Sequence, residues 1–335
     1  MTGPRHTRAW LLLAAAVPLS VYAALFFGSY PLSAAAIHEA LTAWLRGGPE
    51  TQDLVIVRDI RLGRIILSFL TGSALAVSGG VFQGLLRNPL ADPFTLGISS
   101  GAACGAALAL GFGWALPGPS ALPLAALAGA FAAMGMVLGL SRLAGDFSRE
   151  SLVLGGIVVS TFLGALIALI KSLNEESVSA IVFWIMGSFQ GRGFDHVGVM
   201  LPYLAVGGAT VFLLARELDI LALGTEQAAQ VGVAVKRVRI ALLVGAGMLT
   251  AAAVSVSGII GFVGLVVPHL VRMLVGPDSR RLLLFSALGG GILLLWSDVL
   301  ARTILTHGAE LPVGVLTALF GGPFFCLIMA RRRTA

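Results

Sequence analysis

Arg87-Asn88-Pro89-Leu90-Ala91-Asp92-Pro93-Phe94-Thr95-Leu96-Gly97-Ile98-Ser99 separates two long apolar runs and is too polar to belong to either. Asn88-Pro89 and Asp92-Pro93 are turn signals, because each proline biases the residue before it away from helix. Arg87 and Asp92 lie beside the apolar ends, which places the turn at a water interface. The plain reading is a loop between two membrane helices. The sharper reading is a turn that closes a pathway on the cytoplasmic side.

The rest of the chain sets the surroundings of that turn. Of 335 residues, 57% are hydrophobic and 11% charged, against about 25% charged in soluble domains. Mean hydropathy is +0.96. These values describe an integral membrane protein, and 43 glycines suit helices that approach closely in lipid. Net charge is +6, but the basic residues cluster beside apolar runs. Positive-inside topology explains them more simply than nucleic acid does. Cys104 and Cys326 fall within apolar runs and show neither metal spacing nor a disulfide framework.

Uncharged runs predict spans near 9–29, 65–86, 94–113, 120–141, 151–170, 196–215, 240–257, 260–275, 282–302 and 311–330. The first is too long for a signal-peptide core and carries no evident cleavage site, so it counts as a helix. Gly113 to Pro123, with Pro117 and Pro119 between, divides residues 93–141 in two. Residues 240–271 are 32 without a charged side chain. There Gly258, Gly261, Gly264 and Pro268 predict a turn followed by a short or broken helix. With both termini cytoplasmic the span number is even, and ten spans put 15 of the 22 basic residues inside. The seven outside are Arg46, Arg58, Arg61, Arg64, Lys171, Arg192 and Arg302. Three of them, Arg58, Arg61 and Arg64, crowd one helix end. They are either side chains snorkelling to headgroups or a docking surface for an acidic partner or anionic substrate. Ser78-Gly79…Pro89 and Ser257-Gly258…Pro268 share one spacing, the kind of echo left by inverted-repeat halves.

Several chemistries are missing. Neither lysine, Lys171 or Lys236, follows a glycine, so the chain has no phosphate-binding P-loop. His307 and Glu310 lack a third metal ligand nearby. Ser99 and Ser100 have no acid–base partner in reach and read as packing residues. His269 reads as a structural polar contact. Asp298, four residues before Arg302, is the main acidic residue within a span. A proton- or sodium-driven carrier needs ionisable groups on its path, so their scarcity means that energy comes from elsewhere. The inside loop at about 216–239 has helix formers from Leu221, interrupted at Gly224 and stopped near Gly232. It is an interfacial helix or a docking element for a cytosolic protein, and Glu226-Gln227-Ala228-Ala229…Gly232 favours docking.

Arg61-Leu-Gly-Arg64, Gly72…Ala76-Val-Ser-Gly79…Gln83, Arg87-Asn-Pro-Leu-Ala91 and Leu96-Gly-Ile-Ser99-Ser-Gly101 together resemble a known family. It is the FecCD-type membrane permease of ABC importers for iron-siderophore, haem and vitamin B12. Phe183-Trp-Ile-Met-Gly-Ser188, Gly258-Ile-Ile-Gly-Phe-Val-Gly-Leu-Val-Val-Pro-His269 and Asp298…Arg302…Glu310-Leu-Pro-Val-Gly314…Gly321-Gly-Pro-Phe324 extend the likeness over roughly 55–330.

The resemblance implies an all-α permease of the type II importer fold, about ten helices in inverted-repeat-like halves. It forms a single transmembrane domain over 1–335. It implies a homodimer in the inner membrane, with both termini cytoplasmic, and two cytosolic ATPase subunits that use ATP and Mg. A periplasmic or lipoprotein binding protein delivers the cargo: ferric siderophore first, haem second, corrinoid third. The chain itself binds no cofactor and is no enzyme. By position, Arg61, Arg64 and Arg302 match the arginines that dock the binding protein. Asn88 and Leu90 match a cytoplasmic gate, and Ser148 and Arg149 fall where a second gate is expected, although Arg149 is bulkier than the usual small polar residue. Leu223, Gly224, Glu226, Ala228, Ala229 and Gly232 match the ATPase-coupling helices. Gly63 replaces a usual proline, which would loosen the start of the second span, and Ser279 replaces a common histidine. The rivals are a secondary carrier or channel without ATPase subunits, an intramembrane enzyme and an exporter permease.

Overall fold

A computed structural model of the chain describes residues 4–113, 120–145, 147–305 and 309–332. Among these residues the secondary structure is helical throughout. The helices are α1 (Pro4–Ala24), α2 (Ala34–Arg46), α3 (Gln52–Leu85), α4 (Ile98–Gly111), α5 (Ala121–Leu143), α6 (Arg149–Leu173) and α7 (Val178–Ile185). They continue with α8 (Phe194–Leu213), α9 (Ala215–Leu223), α10 (Thr225–Gln230), α11 (Val235–Ser257), α12 (Val263–Val275), α13 (Ser279–Thr303) and α14 (Val313–Arg332). Six of them, α3, α5, α6, α8, α11 and α13, are long and apolar enough to cross a membrane. The apolar parts of α1, α4, α12 and α14 are shorter and coincide with the other four expected runs.

α3 is the axis of the bundle. Small residues line every side of it, and Gly72, Ser73, Ala74, Ala76, Ser78, Gly79, Gly80 and Gly84 are all buried. A Cβ on Gly79 would stand 1.8 Å from the Gly264 carbonyl oxygen of α12, and one on Gly72 would stand 2.2 Å from that of Gly290 in α13. Ser78 bonds the Ala246 carbonyl of α11 at 2.8 Å, and Ser73 bonds the Ala287 carbonyl of α13 at 2.8 Å. Backbone meets backbone here, which only glycine permits. Gly101 of α4 against Gly129 of α5, and Gly207 of α8 against Gly245 of α11, repeat the device.

The two halves share an order: long α3, short α4, long α5 and α6, then long α11, short α12, long α13 and α14. The spacing echo in the sequence does not mark this repeat. Gly79 lies inside α3, whereas Gly258 ends α11 with φ +73°, and Pro268 lies inside α12. α4 begins later than expected, after a 3₁₀ turn over Pro93–Leu96. That turn reaches Gly264 and Gly156, so α4 and α12 start side by side within the bundle. The non-helical stretch before Val263 agrees with the expected turn and short helix.

Three features were not expected. α2 is amphipathic, capped by Ser33 accepting from Ala36 N at 3.2 Å and ended by Gly47 at φ +66°. α7 is a separate short helix at the outer end. Its exit at Gly187 is pinned beneath the Ile259 carbonyl, and Gly314 of α14 packs against the carbonyls of Met186 and Ile259. Residues Ile56–Leu62 of α3 are π-helical. Gly63 does not loosen the helix as expected. It stays helical at φ −56°, and its missing side chain admits the backbone of Phe194, which a Cβ would meet at 3.0 Å.

The seam at Gly79 predicts a sharp contrast. Gly79→Ala should destabilise the protein by about 3 kcal/mol or more, because backbone must move. Gly139→Ala, where a Cβ meets nothing within 4 Å, should be neutral. Thermal unfolding in detergent checks both, and equal melting temperatures would refute the seam.

Candidate functional sites at the two ends of α3

The first site lies at the outer end. Gly28, Ser29, Tyr30, Gln52, Ile56, Ile60, Arg61, Arg64, Arg302 and Glu310 line a cavity of about 410 Å³. The three arginines expected to form a docking surface are all here, but not on the surface. Arg61, Arg64 and Arg302 are 3%, 6% and 4% exposed. Arg61 donates to the backbone carbonyls of Leu25 and Tyr30. Arg64 grips Asp298 with two bonds, Nε to Oδ2 at 2.9 Å and Nη2 to Oδ1 at 2.8 Å. Its Nη1 reaches Glu310 Oε2 at 2.8 Å, and Ser29 donates to Glu310 Oε1 at 3.2 Å. Arg302 donates to the Ala24 carbonyl at 3.3 Å, while its buried Nε has no acceptor among the described residues.

Burial requires these pairings, since an unpaired charge in the bundle is expensive. The three arginines differ in how far their own chain occupies them. Arg64 is committed to two carboxylates of its own chain, and Arg302 keeps unused donor capacity at the cavity. The sequence reading quoted Asp298 and Glu310 without pairing them with Arg64, because they lie 234 and 246 positions further along the chain. His307 lies outside the described residues. Among the described residues no group of three or more His, Cys, Asp or Glu side chains could hold a metal ion.

The second site lies at the inner end. Arg87 leaves α3 with φ +44°, an unusual conformation for a residue with a side chain. Asn88 follows, exposed, its Oδ1 accepting from Leu90 N at 3.0 Å. This asparagine turn holds Leu90 out at 39% exposure. Asp92 then caps the 3₁₀ turn: its Oδ1 accepts from Phe94 N at 2.8 Å, and Thr95 Oγ1 donates back to its carbonyl at 2.7 Å. Burial pushes the Asp92 carboxyl up to about 6, partly opposed by the Phe94 N–H. Across from the turn, Ser148 caps α6 by accepting from Ser151 N at 3.1 Å. Arg149 stands close enough to Arg87 to repel it, and burial together with that repulsion lowers the Arg87 pKa. Arg87 and Arg149 thus bring the end of α3 and the start of α6 within electrostatic reach of each other.

Beside them, α9 and α10 form the expected interrupted element. Gly224 breaks it at φ +157°, where a Cβ would overlap Gln227 Oε1, and Gly232 ends it at φ +87°. Of the six expected coupling residues, Leu223, Glu226, Ala229 and Gly232 are exposed, whereas Gly224 and Ala228 are buried and shape the turn. Leu223 at 74% and Val231 at 72% exposure make an apolar face that the sequence reading only half named. Two ties fasten α9. Arg87 Nη2 donates to the Leu221 carbonyl at 2.8 Å, and Asp219 accepts from Ser279 N, the start of α13, at 3.0 Å. Burial raises the Asp219 pKa, with the Ser279 hydrogen bonds opposing.

With this geometry in hand, comparisons with known proteins are informative. Residues 14–331 match the FecCD transport family. The chain is 43% identical over 288 residues to the cobalamin import system permease protein BtuC of Halobacterium salinarum, covering 85% of this chain and 76% of that one. It is 42% identical over 283 residues to the hemin transport system permease protein HmuU of Yersinia pestis, covering 82% and 83%. Among solved structures, an inward-facing metal-chelate type ABC transporter superposes with a TM-score of 0.85 at 31% identity. The match covers 97% of this chain and 99% of that one.

Two predictions follow from the charges. Arg64→Met should cost about 3–5 kcal/mol by stranding Asp298 and Glu310, read as lost yield and melting temperature. Normal stability would mean that the triad is not buried in the membrane. For Asp92, the folded pKa of about 6 lies above the unfolded value near 3.8, so the folded state holds the proton more tightly. Its contribution to stability is full below pH about 4 and lost as pH rises through about 6. Asp92→Asn keeps the cap and should flatten that slope in melts between pH 4.5 and 7. An unchanged slope would exclude Asp92 as its source.

Proposed function

The chain belongs to the FecCD transport family, and from that premise we propose that it is the membrane permease of an ATP-driven importer. In this reading the cargo is a ferric siderophore, haem or a corrinoid, crossing the inner membrane. A binding protein delivers it from outside, and two cytosolic ATPase subunits supply the energy through ATP and Mg. A second copy of the chain completes the path. Both termini are cytoplasmic, consistent with the excess of basic residues on that side.

One observation carries the proposal. The same helix, α3, ends outside in an arginine-floored cavity and inside in a turn tied to an exposed apolar element. An acidic side chain entering the outer cavity meets a wall that includes Arg61, Arg64 and Arg302; complementary charge there orients a partner more than it tightens binding. At the inner end, Leu223, Glu226 and Val231 offer a mixed apolar and acidic face of the kind that fits a cleft in another protein. The relatives named above carry cobalamin and hemin in their names, which supports the chelate class and leaves its members open to assay. For the second copy, an apolar cavity of about 450 Å³ between α12, α13 and α14, edged by exposed Phe320 and Phe324, offers packing surface.

The test is uptake in proteoliposomes holding this chain, its ATPase and its binding protein, with each cargo offered separately. ATP-dependent uptake of one cargo is the expected result. Uptake without any ATPase subunit would establish the secondary carrier instead. Docking has its own test. Arg302→Ala should weaken binding-protein association about tenfold, with a melting temperature near that of the parent, because it loses one long hydrogen bond. Unchanged association would remove Arg302 from docking.

A further inference from the structure

Arg87 stands between the coupling element and the turn, and three observations converge on it. First, its backbone at φ +44° is strained for a residue with a Cβ, and such strain persists only where the surroundings hold it. Second, its guanidinium bonds the Leu221 carbonyl. Leu221 lies in the last turn of α9, where carbonyls have no partner within the helix and a positive charge is favoured. Third, Arg87 directly precedes Asn88 in the chain, and both are still tied to the last turn of α3: Arg87 N donates to the Gly84 carbonyl at 3.3 Å and Asn88 N to the Gln83 carbonyl at 3.2 Å. Leu218 of α9 packs where Gly84 lacks a side chain, so α9 lies directly on the inner end of α3.

We infer that Arg87 is the strut through which movement of α9–α10 reaches the Asn88–Leu90 turn, making it a positioning residue for transport. The inference rests on the reading above, in which residues 223–232 dock an ATPase and the turn gates the path. A displacement of α9 pulls on the guanidinium. The strained backbone of Arg87 converts that pull into rotation of the very next residues. The hydrogen bond to the Leu221 carbonyl at 2.8 Å holds the guanidinium on α9.

The experiment uses the assembled complex in proteoliposomes, with ATPase binding, ATP hydrolysis and uptake per ATP measured together. Arg87→Ala removes the strut and keeps the strain. Arg87→Gly removes both. Arg87→Lys keeps a shorter cation. Ala and Gly variants should retain assembly and hydrolysis within about twofold while uptake per ATP falls about tenfold, a loss of coupling rather than of fold. Lys should recover part of the uptake. Unchanged uptake per ATP in the Ala variant would overturn the strut, as would a Gly variant that behaves like the parent. Loss of ATPase binding in all three would overturn it too, by making Arg87 a docking residue. A separate Leu223→Glu variant tests the reading beneath: if it binds the ATPase normally, the docking role of residues 223–232 fails, and the strut fails with it.

Discussion

Contact between glycine backbones around α3 is the constraint on which the architecture depends. Within lipid, helices gain no hydrophobic drive from meeting each other, so association rests on close packing and polar bonds. Gly79 beneath the Gly264 carbonyl and Gly72 beneath that of Gly290 bring α12 and α13 onto α3 at backbone distance. Ser73 and Ser78 add bonds to carbonyls of α13 and α11 in the same layer. A helix gripped this way behaves as a rigid rod. Both candidate sites sit on its two ends, and their separation and orientation are set by that rigidity.

The two ends manage charge differently, and the difference follows from solvent. Outside, arginines enter the bundle, and each has to be matched: Arg64 by two carboxylates, Arg61 by two carbonyls. Removing one partner from such a set costs more than the set contributes. Arg64 therefore ties α3 to α13 and to Glu310 just before α14, whereas Arg302 donates to the Ala24 carbonyl at 3.3 Å. Inside, Arg87, Asn88 and Leu90 are exposed to water. There a like-charge neighbour such as Arg149 costs little.

Much of this was legible in the residues. Apolar runs located the six long apolar helices and the four shorter ones because length and charge are local properties, and Gly224 and Gly232 marked the bends of α9–α10 because positive φ favours glycine. Asn88-Pro89 and Asp92-Pro93 announced the turn because each proline disfavours helix at the residue before it, and the side-chain bonds of Asn88 and Asp92 then shape it. The pairing of Arg64 with Asp298 was not legible, since it exists only once α13 lies antiparallel to α3. α7 was missed because its eight residues are too few for a span and it falls between the expected runs 151–170 and 196–215. The Ser-Gly…Pro echo misled because small residues recur in any tightly packed membrane helix. The repeat was visible instead in helix lengths, with α4 and α12 short at matching places in each half.

The placement of ionisable groups also bears on where energy enters. A carrier driven by protons or sodium needs a carboxylate that can change partners along the path. Asp298 is 1% exposed and held by both arms of one guanidinium, a geometry that resists exchange. The flexible polar contacts lie at the inner surface instead, where one side-chain bond joins α9 to the turn and another joins α9 to α13. Force applied to α9 thus has two outlets. One leads to the Asn88–Leu90 turn. The other leads to Ser279 at the start of α13, the helix whose far end carries Asp298 and Arg302.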